Sequence, residues 1–268
     1  SIVMRILDKE SLRLGLPELG FFSDDQAIFE EVISYPDGIF LVTGPTGSGK
    51  STTLYSALHC INKPDRKIIT VEDPVEYQLE GIKQIQVNAK IDLTFAAVLR
   101  SILRLDPDII LVGEIRDRET AETAAQSALT GHLVFSTLHT NDTATAVTRL
   151  IDMGVDPYLV ASTVIGVFAQ RLVRRLCPDC RVQEDEGDNS WHAPGCRHCD
   201  YSGFRGRVGI YELLLISDDT RKLIMEGRSS AEIQQHARDN GMITILEDGL
   251  IKVEQGLTTR DEVFRVGH

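Results

Sequence analysis

The feature that most constrains this chain is residues 39–54. An uncharged run, Ile39-Phe40-Leu41-Val42-Thr43, leads into Gly44-Pro45-Thr46-Gly47-Ser48-Gly49-Lys50-Ser51-Thr52. The run predicts a strand buried on both faces. Residues 44–51 then fit G-x-x-x-x-G-K-[ST] without a gap. Glycines let successive backbone N–H groups turn inward toward phosphate oxygens. Lys50 brings a positive charge to the β/γ-phosphates and Ser51 offers a hydroxyl to Mg²⁺. The helix that follows aims its positive end at the same phosphates. A glycine turn that matches by chance is the plain alternative, and the flanking strand and helix weigh against it. The stretch predicts binding of a nucleoside triphosphate.

The chain's 268 residues leave room for one large α/β domain or two smaller ones, and 42% hydrophobic content excludes global disorder. With 28 basic against 40 acidic residues the net charge is −12. That argues against a nucleic acid or an anionic membrane surface as the main partner, while leaving room for a local basic patch. Five cysteines are too few for a disulfide scaffold of this size, so a reducing compartment is expected. The most apolar stretch, residues 158–169, is too short to span a bilayer and predicts a buried helix. The sequence opens inside an apolar run without an initiator Met. Residues 1–7 therefore read as a strand of a longer protein.

Strand and helix patterns alternate after the loop. Residues 67–71 predict a second buried strand delivering Glu72, Asp73 and Glu76 to its C-terminal end, where open α/β sheets place ligands. Carboxylates there suit Mg²⁺ binding and the handling of an attacking water; a solvated turn is the alternative. Asn62-Lys63-Pro64-Asp65 spells the guanine-reading N-K-x-D pattern. It lies one helix length beyond Lys50, too far to reach the base, so GTP specificity is not expected. Residues 94–105 predict a helix stopped at Asp106-Pro107, with Arg100 and Arg104 neighbours on its outer face. Spacing alone favours a solvated face over arginine fingers. Residues 108–113 predict a third strand ending in Glu114 and Arg116, with Gly113-Glu114 where a Walker B segment usually ends in Asp. Residues 133–137 predict a fourth strand that delivers Thr137 and His139, and Asp142 caps the next helix. The alternation predicts a doubly wound, mainly parallel sheet.

Cys177, Cys180, Cys196 and Cys199 form two C-x₂-C pairs separated by residues 181–195, which fits a four-thiolate zinc site. The set is closed, so the metal is expected to be structural; redox pairs are the alternative. The acidic stretch at residues 184–188 reads as a solvated loop. Capping boxes at Ser229/Glu232 and Thr259/Glu262 predict small C-terminal helices.

The order of these motifs resembles the secretion ATPases of type II secretion and type IV pilus systems over nearly the whole chain. The shared motifs are the loop at 44–53, an acidic box at 71–76, a Walker B segment at 106–117, a His box at 131–142, and paired cysteines followed by residues 203–214. The cysteines are similar to those of the secretion and pilus-extension branches; retraction ATPases lack them. The resemblance implies a homo-hexameric ring of RecA-like P-loop NTPase domains with ATP at subunit interfaces. It implies that Arg100, Arg104 and Arg116, joined by Arg149, face a neighbour's nucleotide, against the plain reading above. It also implies Glu76 as water activator, Glu114 on Mg²⁺ or the same water with the roles exchangeable, and His139 with His132 and Thr137 as γ-phosphate sensors.

The cofactors implied are ATP, Mg²⁺ and Zn²⁺. The implied partners are inner-membrane platform proteins, with no nucleic acid and no direct membrane insertion, which places the chain in the cytoplasm at the inner membrane. The expected divisions are residues 1–20 (end of an N-terminal domain and linker), 21–174 (ATPase core), 175–208 (zinc-binding subdomain) and 209–268 (helical subdomain). Two departures stand out. An upstream domain that supplies further arginines in the family is represented by its last strand only, so weak activity is expected in isolation. The linker between the cysteine pairs is shorter than the family's. A motor for pseudopilus assembly is the main functional expectation, and residues 80–84 and 160–176 favour that branch. Pilus extension is next, then a RecA-like nucleic-acid translocase or a non-hydrolysing scaffold.

Overall fold

A computed structural model describes residues 15–183 and 191–267. The strand expected at residues 1–7 and the acidic stretch at 184–188 lie outside the described residues. The strands are β1 (Gly38–Thr43), β2 (Ile68–Glu72), β3 (Lys83–Gln86), β4 (Ile109–Val112), β5 (Leu133–Leu138), β6 (Val164–Leu176), β7 (Val182–Gln183), β8 (Trp191–His192) and β9 (Phe204–Leu215). The helices are α1 (Ser23–Val32), α2 (Lys50–Ile61), α3 (Phe95–Ile102), α4 (Arg118–Leu129), α5 (Thr143–Asp152), α6 (Pro157–Thr163), α7 (Asp218–Met225), α8 (Ser230–Asp239), α9 (Ile245–Glu254) and α10 (Arg260–Val266).

Seven strands form one sheet in the order β3-β2-β4-β5-β1-β6-β9. All neighbours run parallel except β9, which is antiparallel to β6. The apolar runs are explained by what covers them. Ile39 and Leu41 of β1 pack with residues of α3, α4, α5 and α6 on one face. Phe40 and Val42 pack with α1 and α2 on the other. A strand covered by helices on both faces has no polar face to alternate. Helix starts follow their side-chain caps: Asp117 accepts from the Thr120 amide at 2.8 Å and Asp142 from the Thr145 amide at 2.7 Å.

Four elements differ from the sequence reading. The helix expected over residues 158–169 is corrected: α6 ends at Thr163 and β6 starts at Val164. An apolar run of this length has no diagnostic period, and the β-branched residues Val164, Ile165 and Val167 fit a pleated, buried surface. The helix expected over 94–105 is α3 plus a 3₁₀ turn at Leu103–Leu105, closed by Asp106 with φ +52°. β3 is a short polar edge strand that carries no apolar signal. β9 runs through the boundary expected at residue 208 and carries Ile210, Tyr211 and Leu214 into the core.

Candidate nucleotide site and cysteine cluster

The glycine-rich loop leaves β1 at Thr43 and enters α2 at Lys50, at the C-terminal end of the parallel strands. Gly44 has φ +145°, and a Cβ there would stand 2.5 Å from the Gln170 carbonyl oxygen and 2.7 Å from Ser48 Oγ, so only glycine fits. Lys50 Nζ folds back on the loop and donates to the carbonyls of Gly44 at 2.6 Å and Pro45 at 3.1 Å. Burial, then the Arg171 guanidinium, pulls its pKa down to about 8, with Glu114 opposing. Ser48 Oγ is buried without a hydrogen-bond partner. An unmet buried hydroxyl is costly, and a phosphate oxygen would meet it. Ser51 is exposed on the first turn of α2 and Thr52 is half-buried. Thr46 and Gly47 are exposed. The loop as folded fits a polyphosphate with Mg²⁺.

The neighbouring strand ends bring charge to the same place. Glu114, just past β4, accepts from Arg116 Nη2 at 2.6 Å and lies 3.3 Å from His139 Nε2, just past β5. The Glu114 carboxylate raises the Arg116 pKa, first by its hydrogen bond, then by its charge, with Asp73 adding to the field. Gly113 explains the displaced Walker B carboxylate. A Cβ there would stand 3.2 Å from Val71 O and 3.3 Å from Glu72 Cα, so an Asp would crowd the backbone of β2 and push it by a few tenths of an ångström. Thr137 Oγ1 donates to Gly113 O at 2.8 Å, tying the ends of β4 and β5. The Thr140 amide donates to Thr43 Oγ1 at 2.9 Å and so ties the His box to the root of the loop. Asp73 is exposed and Glu76 half-buried on the turn after β2.

Two residues expected at the nucleotide are placed elsewhere. Glu72 is buried at 5% exposure, and its carboxylate is taken up by Tyr55 Oη, Thr70 Oγ1 and Gln84 Nε2. It fixes the start of the acidic turn rather than offering a ligand. His132 stands at the N-terminal end of β5, where its Nδ1 lies 2.8 Å from Ser127 O and 3.1 Å from Thr130 Oγ1. The six residues of β5 separate it from His139 by about 20 Å, so within one chain it closes α4 and does not sense phosphate. Arg100, Arg104, Arg116 and Arg149 are all exposed. Arg100 pairs with Glu119 at 2.5 Å.

The cysteines cap the long antiparallel ribbon of β6 and β9, whose ladder runs from Gly166–Leu215 to Leu176–Phe204. The Cys177 amide donates to Gly203 O at 2.9 Å and so closes the ribbon at its tip. The four Sγ atoms all lie within 4.8 Å of one another. Cys177–Cys196 and Cys180–Cys199 are each 3.9 Å apart and Cys196–Cys199 is 3.8 Å. A tetrahedron with zinc–sulfur bonds of about 2.3 Å has edges of about 3.8 Å, so the donor set fits zinc. The Cys196 amide donates to Cys199 Sγ at 3.1 Å and leads in pulling that thiol down to about 6, whereas burial pushes the Cys177 and Cys180 thiols up, so it is the geometry of the donor set that fits a metal.

Sequence reading missed Gln170 and Arg171, buried on β6 against the loop. The available signal was a polar pair interrupting an apolar run.

The family model described as "Type II/IV secretion system protein" matches residues 1–265. The chain is 56% identical to the type II secretion system protein HxcR of Pseudomonas aeruginosa, over 99% of this chain and 56% of that protein. It is 50% identical to the type IV pilus assembly ATPase PilB of Thermus thermophilus, over 98% of this chain and 31% of that protein. The chain thus spans about half, or less, of these relatives' length. Among solved structures it is similar to the pilus retraction motor PilT with bound ADP, with TM-score 0.75 and 33% identity, over 94% of this chain and 66% of that one.

Proposed function

Because the chain belongs to the type II/IV secretion system protein family, we propose that it is the ATP-hydrolysing core of a type II secretion motor that drives pseudopilus assembly and protein export. The observation that carries this reading is the meeting of Lys50, Glu114 and His139 at the C-terminal ends of β1, β4 and β5, three adjacent parallel strands.

Residues 44–52 bind the triphosphate, and Lys50 exchanges the Gly44 and Pro45 carbonyls for phosphate oxygens. Ser51 and a nearby carboxylate would hold Mg²⁺, which would supply charge neutralisation at the phosphates. Glu76 takes the proton of the attacking water or orients it, with Glu114 beside it, and the two roles are exchangeable. Thr137 and His139 report on the γ-phosphate from the end of β5. Arg100, Arg104, Arg116 and Arg149 reach a neighbour's nucleotide in a homo-hexamer: each is exposed, and Arg100 and Arg116 exchange their pairs with Glu119 and Glu114 to do so. The ring works in the cytoplasm against inner-membrane platform proteins. Among the described residues no helix is long and apolar enough to cross a membrane. Residues 21–174 carry the chemistry, 175–208 the structural zinc, and 209–268 the remaining helices.

The test is phosphate release by the full-length chain with Mg²⁺ and ATP, with and without single-stranded DNA. Turnover indifferent to DNA is expected; DNA-stimulated turnover overturns the reading in favour of a translocase. Comparing Glu76→Gln with Glu114→Gln assigns the water activator as the variant that binds ATP and Mg²⁺ but does not turn over. A pilus-assembly role is the second reading, favoured by the 50% identity with PilB. Restoring export without restoring pili in a cell lacking its own copy separates the two.

A further inference from the structure

β6 lies beside β1 with Ala169 opposite Thr43, so the next two residues of β6 flank the loop as it leaves the sheet. These are Gln170 and Arg171, at 2% and 5% exposure. A buried amide or guanidinium is costly unless its polar ends are met. Gln170 Nε2 donates to Ser48 O at 2.5 Å, and Gln170 Oε1 accepts from Thr53 Oγ1 at 2.8 Å. A carbonyl only accepts, so Ser48 fixes which way the amide points. The side chain therefore clamps the loop to the start of α2. Arg171 Nη1 donates to Gln170 O at 3.0 Å and Nη2 to Asn141 O at 2.8 Å. A Cβ on Gly44 would stand 3.2 Å from Nη1, which places the guanidinium against the root of the loop.

We propose that Gln170 and Arg171 are positioning residues for nucleotide binding: Gln170 sets the curvature of residues 44–49, and Arg171 locks the turn before α5 to the loop's root. The inference rests on the reading of residues 44–51 as an ATP site. Phosphate affinity depends on where the loop's N–H groups point. Loosening the clamp therefore weakens binding more than it slows the chemical step.

The test measures binding of a fluorescent ATP analogue with Mg²⁺ by the full-length chain, beside KM and kcat. Gln170→Glu keeps the size and the bond from Thr53 but sets an oxygen against the Ser48 carbonyl. The dissociation constant and KM are expected to rise about tenfold, with kcat changing by less than about threefold. Arg171→Lys keeps the charge but cannot bridge two carbonyls as a fork, and about a fivefold loss of affinity is expected. Thr53→Val removes one bond, with an expected loss of about threefold. Val173→Ala on the same strand is the control: it should lower the melting temperature while leaving affinity within about twofold. Wild-type affinity in folded Gln170→Glu overturns the inference. If that variant does not fold, unchanged affinity in Thr53→Val overturns it. A loss of affinity in Val173→Ala equal to that of the clamp variants also overturns it, since stability alone would then explain the effect. Failure of the wild-type chain to bind the analogue overturns instead the ATP reading beneath it.

Discussion

At the C-terminal ends of β1, β4 and β5 the ionisable groups keep partners they can leave, whereas at the tip of the β6–β9 ribbon they close in on one another. Glu114 is nearly buried at 11% side-chain exposure, but its partners Arg116 and His139 are 66% and 50% exposed. Lys50 rests on two loop carbonyls that a phosphate can replace. The four thiols instead lie within 4.8 Å of one another, with Cys177 and Cys199 buried. A site that turns over must let its groups change partners. A site that only holds the chain together saturates its ligand set. The same sheet carries both, because β6 flanks the glycine-rich loop at one end and belongs to the ribbon at the other.

The sharpest way to break this contrast is at the closed end. Cys199→Ser is expected to abolish stoichiometric zinc, removing about 10 kcal/mol or more of metal-coupled folding energy from the ribbon tip. Zinc content and hydrogen exchange in Phe204–Leu215 check it. A variant with full zinc and unchanged protection would show that the cluster is not closed.

Lys252 and Asp248 offer a second saturated case. Their 2.7 Å pair is buried, with Lys252 also donating to Gly209 O at 2.8 Å and Asp248 accepting from the Tyr211 amide at 2.9 Å. Lys252→Met leaves the carboxylate unpaired and should cost about 3–5 kcal/mol in urea unfolding. A cost under about 1 kcal/mol would show that this pair tolerates exchange as the open site does.

At the open end the effect falls on rate. Glu114→Gln should lower kcat by about 100-fold, equivalent to about 2.7 kcal/mol, while ATP affinity stays within about threefold. Equal losses in both would mean that Glu114 holds the ground state and is not reserved for chemistry. The smallest effect belongs to the exposed Arg100–Glu119 pair. Glu119→Ala should change unfolding stability by less than about 0.5 kcal/mol, and a larger loss would mark Arg100 as structural.

The legible parts of this molecule were local. The loop, its Lys50 and Ser51, the cap Asp142, and the four cysteines are each set by spacing within a few residues. What failed depends on partners far along the chain. Residues 158–169 gave no period because the run joins the end of α6 to β6, and β6 is buried on both faces, Val167 under one layer of helices and Phe168 under the other. Glu72 looked like its neighbour Asp73 until Tyr55, Thr70 and Gln84 were seen to enclose it. His132 was grouped with His139 through the resemblance of residues 131–142 to a His box. A parallel strand puts its first and last residues at opposite edges of the sheet, and only the last edge meets the ligand. Gln170 and Arg171 have meaning only against Ser48 and Asn141, a relation that no spacing encodes.

The most direct measurement is a crystal structure of the full-length chain with Mg²⁺ and a non-hydrolysable ATP analogue. The expected result is a triphosphate on the amides of residues 44–51, Ser48 Oγ bonded to a phosphate oxygen, and Lys50 Nζ withdrawn from its 2.6 Å contact with Gly44 O. An analogue bound elsewhere, with Lys50 still resting on the loop carbonyls, would contradict it.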